Sequence, residues 1–223
     1  EDISDEIAEN AIHIQDASKM LLALINDILD MSKIESGKME IVPIQYETGN
    51  MFSELVNLIW IRAHEKKLEF KLDISPEIPS MLYGDEVRIK QIVTNLLSNA
   101  VKYTQKGTVS LSVDGRIEGR KAVLKFAIQD TGIGIKEEDI SRLFKEFERI
   151  EERRNRNIEG TGLGINITTQ LLLLMGSRLQ VESVYGEGTT FTMIIEQEII
   201  NETPLMLTED SEERNKIRKS VFV

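Results

Sequence analysis

The 223 residues carry 27 Lys and Arg against 38 Asp and Glu, a formal charge of −11 at pH 7. Nucleic acid and anionic membranes reward basic surfaces, so this balance argues against both as general partners. Apolar residues make up 41 % and cysteine is absent, which fits a globular domain of a reducing compartment and excludes disulfides and thiolate metal sites. No apolar run approaches the roughly 18 residues of a bilayer span.

From about residue 3 to residue 36 the pattern is helical. Ile7, Ile14, Leu21 and Ile28 fall seven apart, and Ala17, Leu24 and Met31 follow the last three of them by three residues. These are a and d positions of a coiled-coil or bundle helix, with Asn10 in one d place. Leu22, Ile25 and Leu29 widen the stripe, so the helix needs a partner. Gly37 suits its C-terminal stop. Helix beginning almost at Glu1, without a signal peptide, gives the look of a fragment of a longer protein.

Beyond Gly37 the character turns to mixed α/β. Residues 39–46 read as a short strand, 50–66 as an amphipathic helix, and 68–74 as an alternating strand that ends in the proline-containing turn 75–80. A strong helix follows over 85–103. Val109, Leu111 and Val113 alternate with serines, 122–129 is the next strand, and Gly115 and Gly119 suit the hairpin between them. A helix over 163–175, a strand over 179–183 and a last strand over 190–198 complete the pattern. The polar tail 201–223 reads as a linker. Strands and helices mix without strict βαβ alternation, which predicts an α+β sandwich with helices on one face of a mostly antiparallel sheet.

Four clusters carry chemistry. On the helix over 85–103, Asn95, Asn99 and Lys102 form a polar stripe at i, i+4 and i+7. The stripe is either a solvated face, or a set of amide oxygens for a hard cation such as magnesium with a lysine for phosphate. In Asp130-Thr-Gly-Ile-Gly134, Asp130 falls in register with Leu124, Phe126 and Ile128 and is aimed at the apolar side. A carboxylate there needs a donor, which the exocyclic amine of adenine could supply, with Gly132 and Gly134 admitting a flat base. The alternative is a turn that merely ends a strand.

Glu159-Gly-Thr-Gly-Leu-Gly164 opens onto a helix, so it offers free N–H groups and a positive dipole end to phosphate. It is neither a P-loop nor a dinucleotide fingerprint. Residues 151–157 contain no apolar side chain and have the composition of a mobile lid or a plain solvated loop. Gly186-Glu-Gly-Thr-Thr-Phe191 is, alone, a turn into the last strand.

In this order and spacing the clusters resemble the N box (95–103), G1 box (130–134), F box (143–149), G2 box (160–164) and terminal Gly-Thr element of sensor histidine kinases. Leu24-Ile-Asn-Asp-Ile-Leu-Asp-Met-Ser-Lys-Ile-Glu35 resembles the second helix of that family's dimerisation hairpin. The resemblance implies a Bergerat-type sandwich, shared with gyrases, heat-shock chaperones and mismatch-repair ATPases, preceded by one long bundle helix. It divides the chain into that helix (1–37), an ATP-binding catalytic domain (38–200) and a linker (201–223). The tail near Arg214 resembles linkers that lead to a receiver domain in hybrid kinases.

Carried over by position, the resemblance gives Asn99 to magnesium, sets Asn95 beside it toward the phosphates, and brings Lys102 and Tyr103 to the phosphate and ribose region. Asp130 would recognise adenine, with Gly132 and Gly134 making room. Arg149 would reach the terminal phosphate, Gly160, Thr161, Gly162, Leu163 and Gly164 would wrap the phosphates, and Thr189 would assist near the base. Asn166 stands where the family more often has a small residue.

The family's phosphoacceptor histidine lies on the first hairpin helix, and neither histidine here fits it. His13 is followed by Ile-Gln-Asp on what matches the second helix, and His64 by Glu-Lys-Lys in the catalytic domain. The expected function is therefore the ATP- and magnesium-binding catalytic module of a two-component kinase, with its acceptor histidine and first hairpin helix outside these residues. Expected partners are a second copy through the N-terminal helix and a response regulator or receiver domain. The expected location is the cytoplasm, with room for an inner-membrane anchor elsewhere in a longer protein. A non-catalytic binding module of the same fold would show eroded boxes, and none is eroded. An ATPase or serine-directed kinase of that fold sits poorly with the heptad helix and its Asn26-Asp-Ile-Leu-Asp30.

Overall fold

The structure is a computed structural model that describes residues 5–144 and 162–205. The chain opens with helix α1 (Asp5–Glu35), which Gly37 ends at φ 65 while the N–H groups of Lys38 and Met39 both return to the Lys33 carbonyl. Then follow β1 (Ile44–Glu47), α2 (Thr48–Glu65), β2 (Glu69–Ile74), β3 (Pro79–Gly84), α3 (Glu86–Tyr103), β4 (Thr108–Glu118) and β5 (Lys121–Asp130). A short helix α4 (Glu137–Ile140) and a 3-10 turn (Ser141–Phe144) precede α5 (Gly164–Leu174), β6 (Gln180–Val184) and β7 (Gly188–Pro204).

The described strands form one sheet in the order β1-β3-β7-β5-β4-β2, with β6 also on β7; only the β2–β4 pairing is parallel. Alternation sorts the faces. In β5, Ala122, Leu124, Phe126 and Ile128 are fully buried while Lys121, Lys125 and Gln129 face water. The buried face packs against α2 and α3, so the helices lie on one side as the sequence predicts. This is the expected α+β sandwich with a mostly antiparallel open sheet. Among the described residues no helix is long and apolar enough to cross a membrane.

Several boundaries differ from the sequence reading. The strand expected over 39–46 is confined to Ile44–Glu47. The strand β3 was not foreseen, because Pro79 and an irregular register disguise it: shifts interrupt its pairing with β7 on both sides of Met81. Gly115 lies inside β4 opposite Leu124, not in the hairpin turn, and a Cβ there would stand 2.6 Å from Ile78 Cγ1. The turn is made at Gly119, φ 62. The tail read as linker from residue 201 begins as strand: β7 continues to Pro204, and Leu205 is buried with its N–H on the Ile78 carbonyl at 2.7 Å. Residues 206–223 lie outside the described residues.

Candidate functional site

Helix α3 is the floor of the site. Asp85 caps it, accepting the Arg88 N–H at 3.0 Å on one carboxylate oxygen and the Val42 N–H at 2.8 Å on the other. Ile89, Ile92, Val93, Leu96, Leu97, Ala100 and Val101 are all buried, which fixes the rotation of the helix about its axis. Asn95, Asn99, Lys102 and Tyr103 are therefore left half-buried on the side away from the core. At its C-terminal end, Lys66 donates to the carbonyls of Val101 and Lys102 at 2.9 and 3.0 Å, and Lys102 Nζ lies 4.9 Å from the centre of the Tyr103 ring.

The stripe meets a different element at each end. Asn95 donates through Nδ2 to Thr168 Oγ1 of α5 at 2.8 Å, and Thr168 is buried. A Cβ on Gly164 would stand 2.4 Å from Asn95 Oδ1, so only glycine lets the start of α5 close on this amide. Among the described residues that helix start is electrostatically open. Its first turn holds no acid and no side-chain cap, and Ile167 is the first residue whose N–H returns to a carbonyl of the segment, that of Leu163 at 2.9 Å. The N–H groups of Gly164, Ile165 and Asn166 have no intrahelical partner, which makes an anion-binding end.

At the other end, Tyr103 abuts the loop that follows β5. A Cβ on Gly132 would lie 2.5 Å from the Tyr103 carbonyl oxygen, and Ile133 N–H reaches the same oxygen at 3.3 Å. Asp130 ends β5 opposite Thr189 of β7 and is 7 % exposed. Burial pushes its carboxyl above the usual aspartate range, and backbone N–H groups of Gly132 (2.8 Å to Oδ1) and Thr189 pull it part of the way back. Gly134 takes φ 65 under the backbone of β6, where a Cβ would meet the Val184 carbonyl oxygen. The two glycines thus have a reason independent of any bound base: the loop lies against Tyr103 on one side and Val184 on the other.

Thr189 is buried, and its hydroxyl lies 2.9 Å from Ser183 Oγ. Ser183 is a site residue that the sequence reading missed. Its Oγ accepts the Ile135 N–H at 2.8 Å and bonds the Gly188 carbonyl at 2.9 Å, tying the loop after β5 to the β6–β7 turn. Only its place on β6 opposite Thr189 reveals this, and register is a property of the folded sheet. Asn166, the departure noted in the sequence, is 4 % exposed, and its Oδ1 has no hydrogen-bond partner among the described residues. Arg149, Gly160 and Thr161, with most of the F box and the charged run 151–157, lie outside the described residues; Gly162 (φ 77), Leu163 and Gly164 lie inside them.

Comparison with known proteins identifies the family of this fold. The family model for histidine kinase-, DNA gyrase B- and HSP90-like ATPases matches residues 84–199, a span that holds α3, the loop after β5, α5 and the β6–β7 turn. Hybrid signal transduction histidine kinase B of Dictyostelium discoideum is 40 % identical over 184 residues, covering 82 % of this chain and 9 % of that protein. Signal transduction histidine-protein kinase BarA of Escherichia coli is 39 % identical over 179 residues, covering 80 % of this chain and 20 % of BarA. The chain thus spans about a tenth to a fifth of the length of these relatives. Among solved structures, full-length ShkA in complex with AMPPNP superposes with a TM-score of 0.73 at 26 % identity, over 90 % of this chain and 41 % of ShkA. The Acinetobacter baumannii histidine kinase AdeS shares the fold, with a TM-score of 0.64 at 21 % identity, over 90 % of this chain and 88 % of that one. The family model covers just over half of the chain, and on that ground this protein belongs to the histidine kinase-, DNA gyrase B- and HSP90-like ATPase family.

Proposed function

We propose that the chain is the ATP-binding catalytic module of a two-component sensor histidine kinase. It binds ATP with magnesium and presents the γ-phosphoryl group to a histidine outside these residues. One observation carries the reading: a single polar stripe of α3 joins a buried acceptor, Asp130, to a helix start at Gly164 that no side chain among the described residues caps. Asp130 suits the amine edge of adenine. The free N–H groups of α5 suit phosphate, and about 12 Å of helix separates Asn95 from Tyr103. The names of the relatives, histidine kinases, and of ShkA's ligand, AMPPNP, support the same assignment.

The residues present fit magnesium as well. Among those described, no group of three His, Cys, Asp or Glu could hold an ion by itself. Magnesium keeps most of its water and binds through few protein oxygens together with substrate phosphates, so the Asn99 amide oxygen suffices. Bound ATP with magnesium supplies the transferable group and neutralises part of its charge. The chain's own residues then bind and orient: Asp130 holds the base, Thr189 and Gly132 hold Asp130, and Asn95 with the start of α5 fixes the phosphates. Lys102 and Arg149 offset the negative charge.

The acceptor belongs elsewhere. His64 stacks on Trp60 at 5.0 Å between ring centres, on α2, and His13 stands exposed on α1. A response regulator or receiver domain is the partner that follows from this reading, and a second copy through α1 is the partner for that helix. An ATP-dependent module works where ATP is held, on the cytoplasmic side. Calorimetry with magnesium and ATP tests the assignment: the chain binds, and Asp130→Asn weakens binding about tenfold or more, the scale of a charged hydrogen bond. Folded protein that gives no heat with ATP or ADP overturns it. Radiolabelled ATP is expected to leave no acid-labile label on this chain alone, and label on His13 or His64 would reverse the reading of both.

A further inference from the structure

Before Asn95, the same side of α3 carries Arg88 and Gln91. Residues 88, 91, 95, 99 and 102 follow one another at intervals of three, four, four and three, which keeps all five on one face. Both early members meet Asp30 of α1. Gln91 donates through Nε2 to Asp30 Oδ2 at 2.8 Å, Arg88 Nη1 stands 3.4 Å from the same oxygen, and Arg88 Nη1 donates to Gln91 Oε1 at 2.7 Å. The three side chains close a ring, with Arg88 and Asp30 only 20 % and 15 % exposed. Met31 beside it is buried, and Ile34 packs against the core. The strap after α1 returns to the same helix, since Val42 N–H binds Asp85, the α3 cap.

The rest of α1 is different. Leu21, Leu22, Ile25, Ile28 and Leu29 are 42–61 % exposed, so among the described residues the helix is attached by its last turns and its apolar face is open before them. It also lies against α5, the helix that Asn95 holds through Thr168. Three helices therefore meet pairwise, and the polar face of α3 is common to the clamp and to the candidate nucleotide site.

We propose that Asp30 is a positioning residue that clamps the foot of α1 onto the first turns of α3. Whatever engages the exposed length of α1 is thereby registered at the nucleotide end of the same helix face. The coupling half of this inference rests on the nucleotide reading above; the clamp half does not. A buried-edge carboxylate shared by an amide and a guanidinium fixes direction as well as distance, which a lone apolar contact at Met31 would not.

The 223 residues include no cysteine, so a clean label pair can be introduced with His13→Cys on α1 and Lys125→Cys on the exposed sheet face. Spin-label distances are measured on the 223-residue chain, diluted with unlabelled chain to suppress distances between copies. A single narrow distribution is expected for the parent, a broad one for Asp30→Ala, and an intermediate one for Asp30→Asn, which keeps the Gln91 bond. Asp30→Ala is also expected to weaken magnesium–ATP binding about fivefold, a modest coupling between sites, while the unfolding midpoint followed by Trp60 fluorescence stays unchanged. Gln91→Leu, which cuts the shorter bond from the α3 side, gives the same pattern and serves if Asp30→Ala folds poorly. A distribution that stays narrow overturns the clamp. Release of α1 with unchanged or tighter nucleotide binding overturns the coupling. A parent chain that binds no nucleotide removes the functional reading and the coupling together, and the clamp is then decided by the distances alone.

Discussion

Helices α1 and α3 are both amphipathic, yet they meet opposite fates. Every large apolar residue on the inner side of α3 is buried to 5 % exposure or less, whereas on α1 Ile14 is 68 % and Leu21 58 % exposed. The difference teaches that periodicity announces a face to be covered without saying what covers it. For α3 the cover is the sheet, whose own alternation matches it. For α1 the seat seen among the described residues is at the foot, through Asp30, Met31 and Ile34.

Truncations make the contrast quantitative. In urea unfolding of the chain diluted below self-association, Leu96→Ala is expected to cost about 3–4 kcal/mol, because a fully buried leucine leaves a cavity, and Leu21→Ala less than about 0.5 kcal/mol. Equal costs would break the comparison and show that the α1 face is covered in solution. The site loops lie between these extremes. Gly134→Ala is expected to cost about 2 kcal/mol or more, since φ 65 is unfavourable for alanine and its Cβ would meet the Val184 carbonyl.

A smaller effect, of opposite sign, is expected at Asp130. Its carboxyl titrates above the usual 3.8, so its charge opposes folding at neutral pH; its contribution to stability is fully present below 3.8 and is lost as pH rises through the folded value. Asp130→Asn is therefore expected to raise the stability of the nucleotide-free chain at pH 7, with the gain shrinking as the pH is lowered past the folded value toward 3.8, while nucleotide binding falls. Denaturation at the two pH values checks the sign. The smallest change in folding stability is expected for Leu21→Ser with Ile28→Ser. Light scattering then sharpens the comparison, because a parent dimer that becomes a monomer identifies the missing cover as a second copy, and a parent that is already monomeric removes the second copy from the assignment.

Much of this was legible in the residues. The stripe 95, 99, 102 and the inward register of Asp130 follow from periods of 3.6 and 2, and the structure puts both where those periods say. The α+β class followed from the irregular alternation of elements. What stayed hidden depends on pairings distant in sequence. Ser183 matters because β6 sets it beside Thr189 and Ile135, β3 exists because β7 is long enough to pair with it, and Gly115 is glycine because Ile78 arrives from another loop. Gly132 and Gly134 were legible as special positions, and the fold adds a reason that no local pattern shows, the approach of Tyr103 and Val184.

Strand β7 gives the sheet its order of assembly. Its seventeen residues pair with β5 along one edge and, on the other, first with β6 and then with β3. Without it the described strands fall into two unconnected ribbons, β1–β3 and β5–β4–β2, and a lone β6. During synthesis the ribosome delivers these ribbons well before the strand that joins them, so the sheet closes only once residues 188–204 have emerged. Asp130 and Thr189 become neighbours in that last event, and the site is completed by the step that completes the fold.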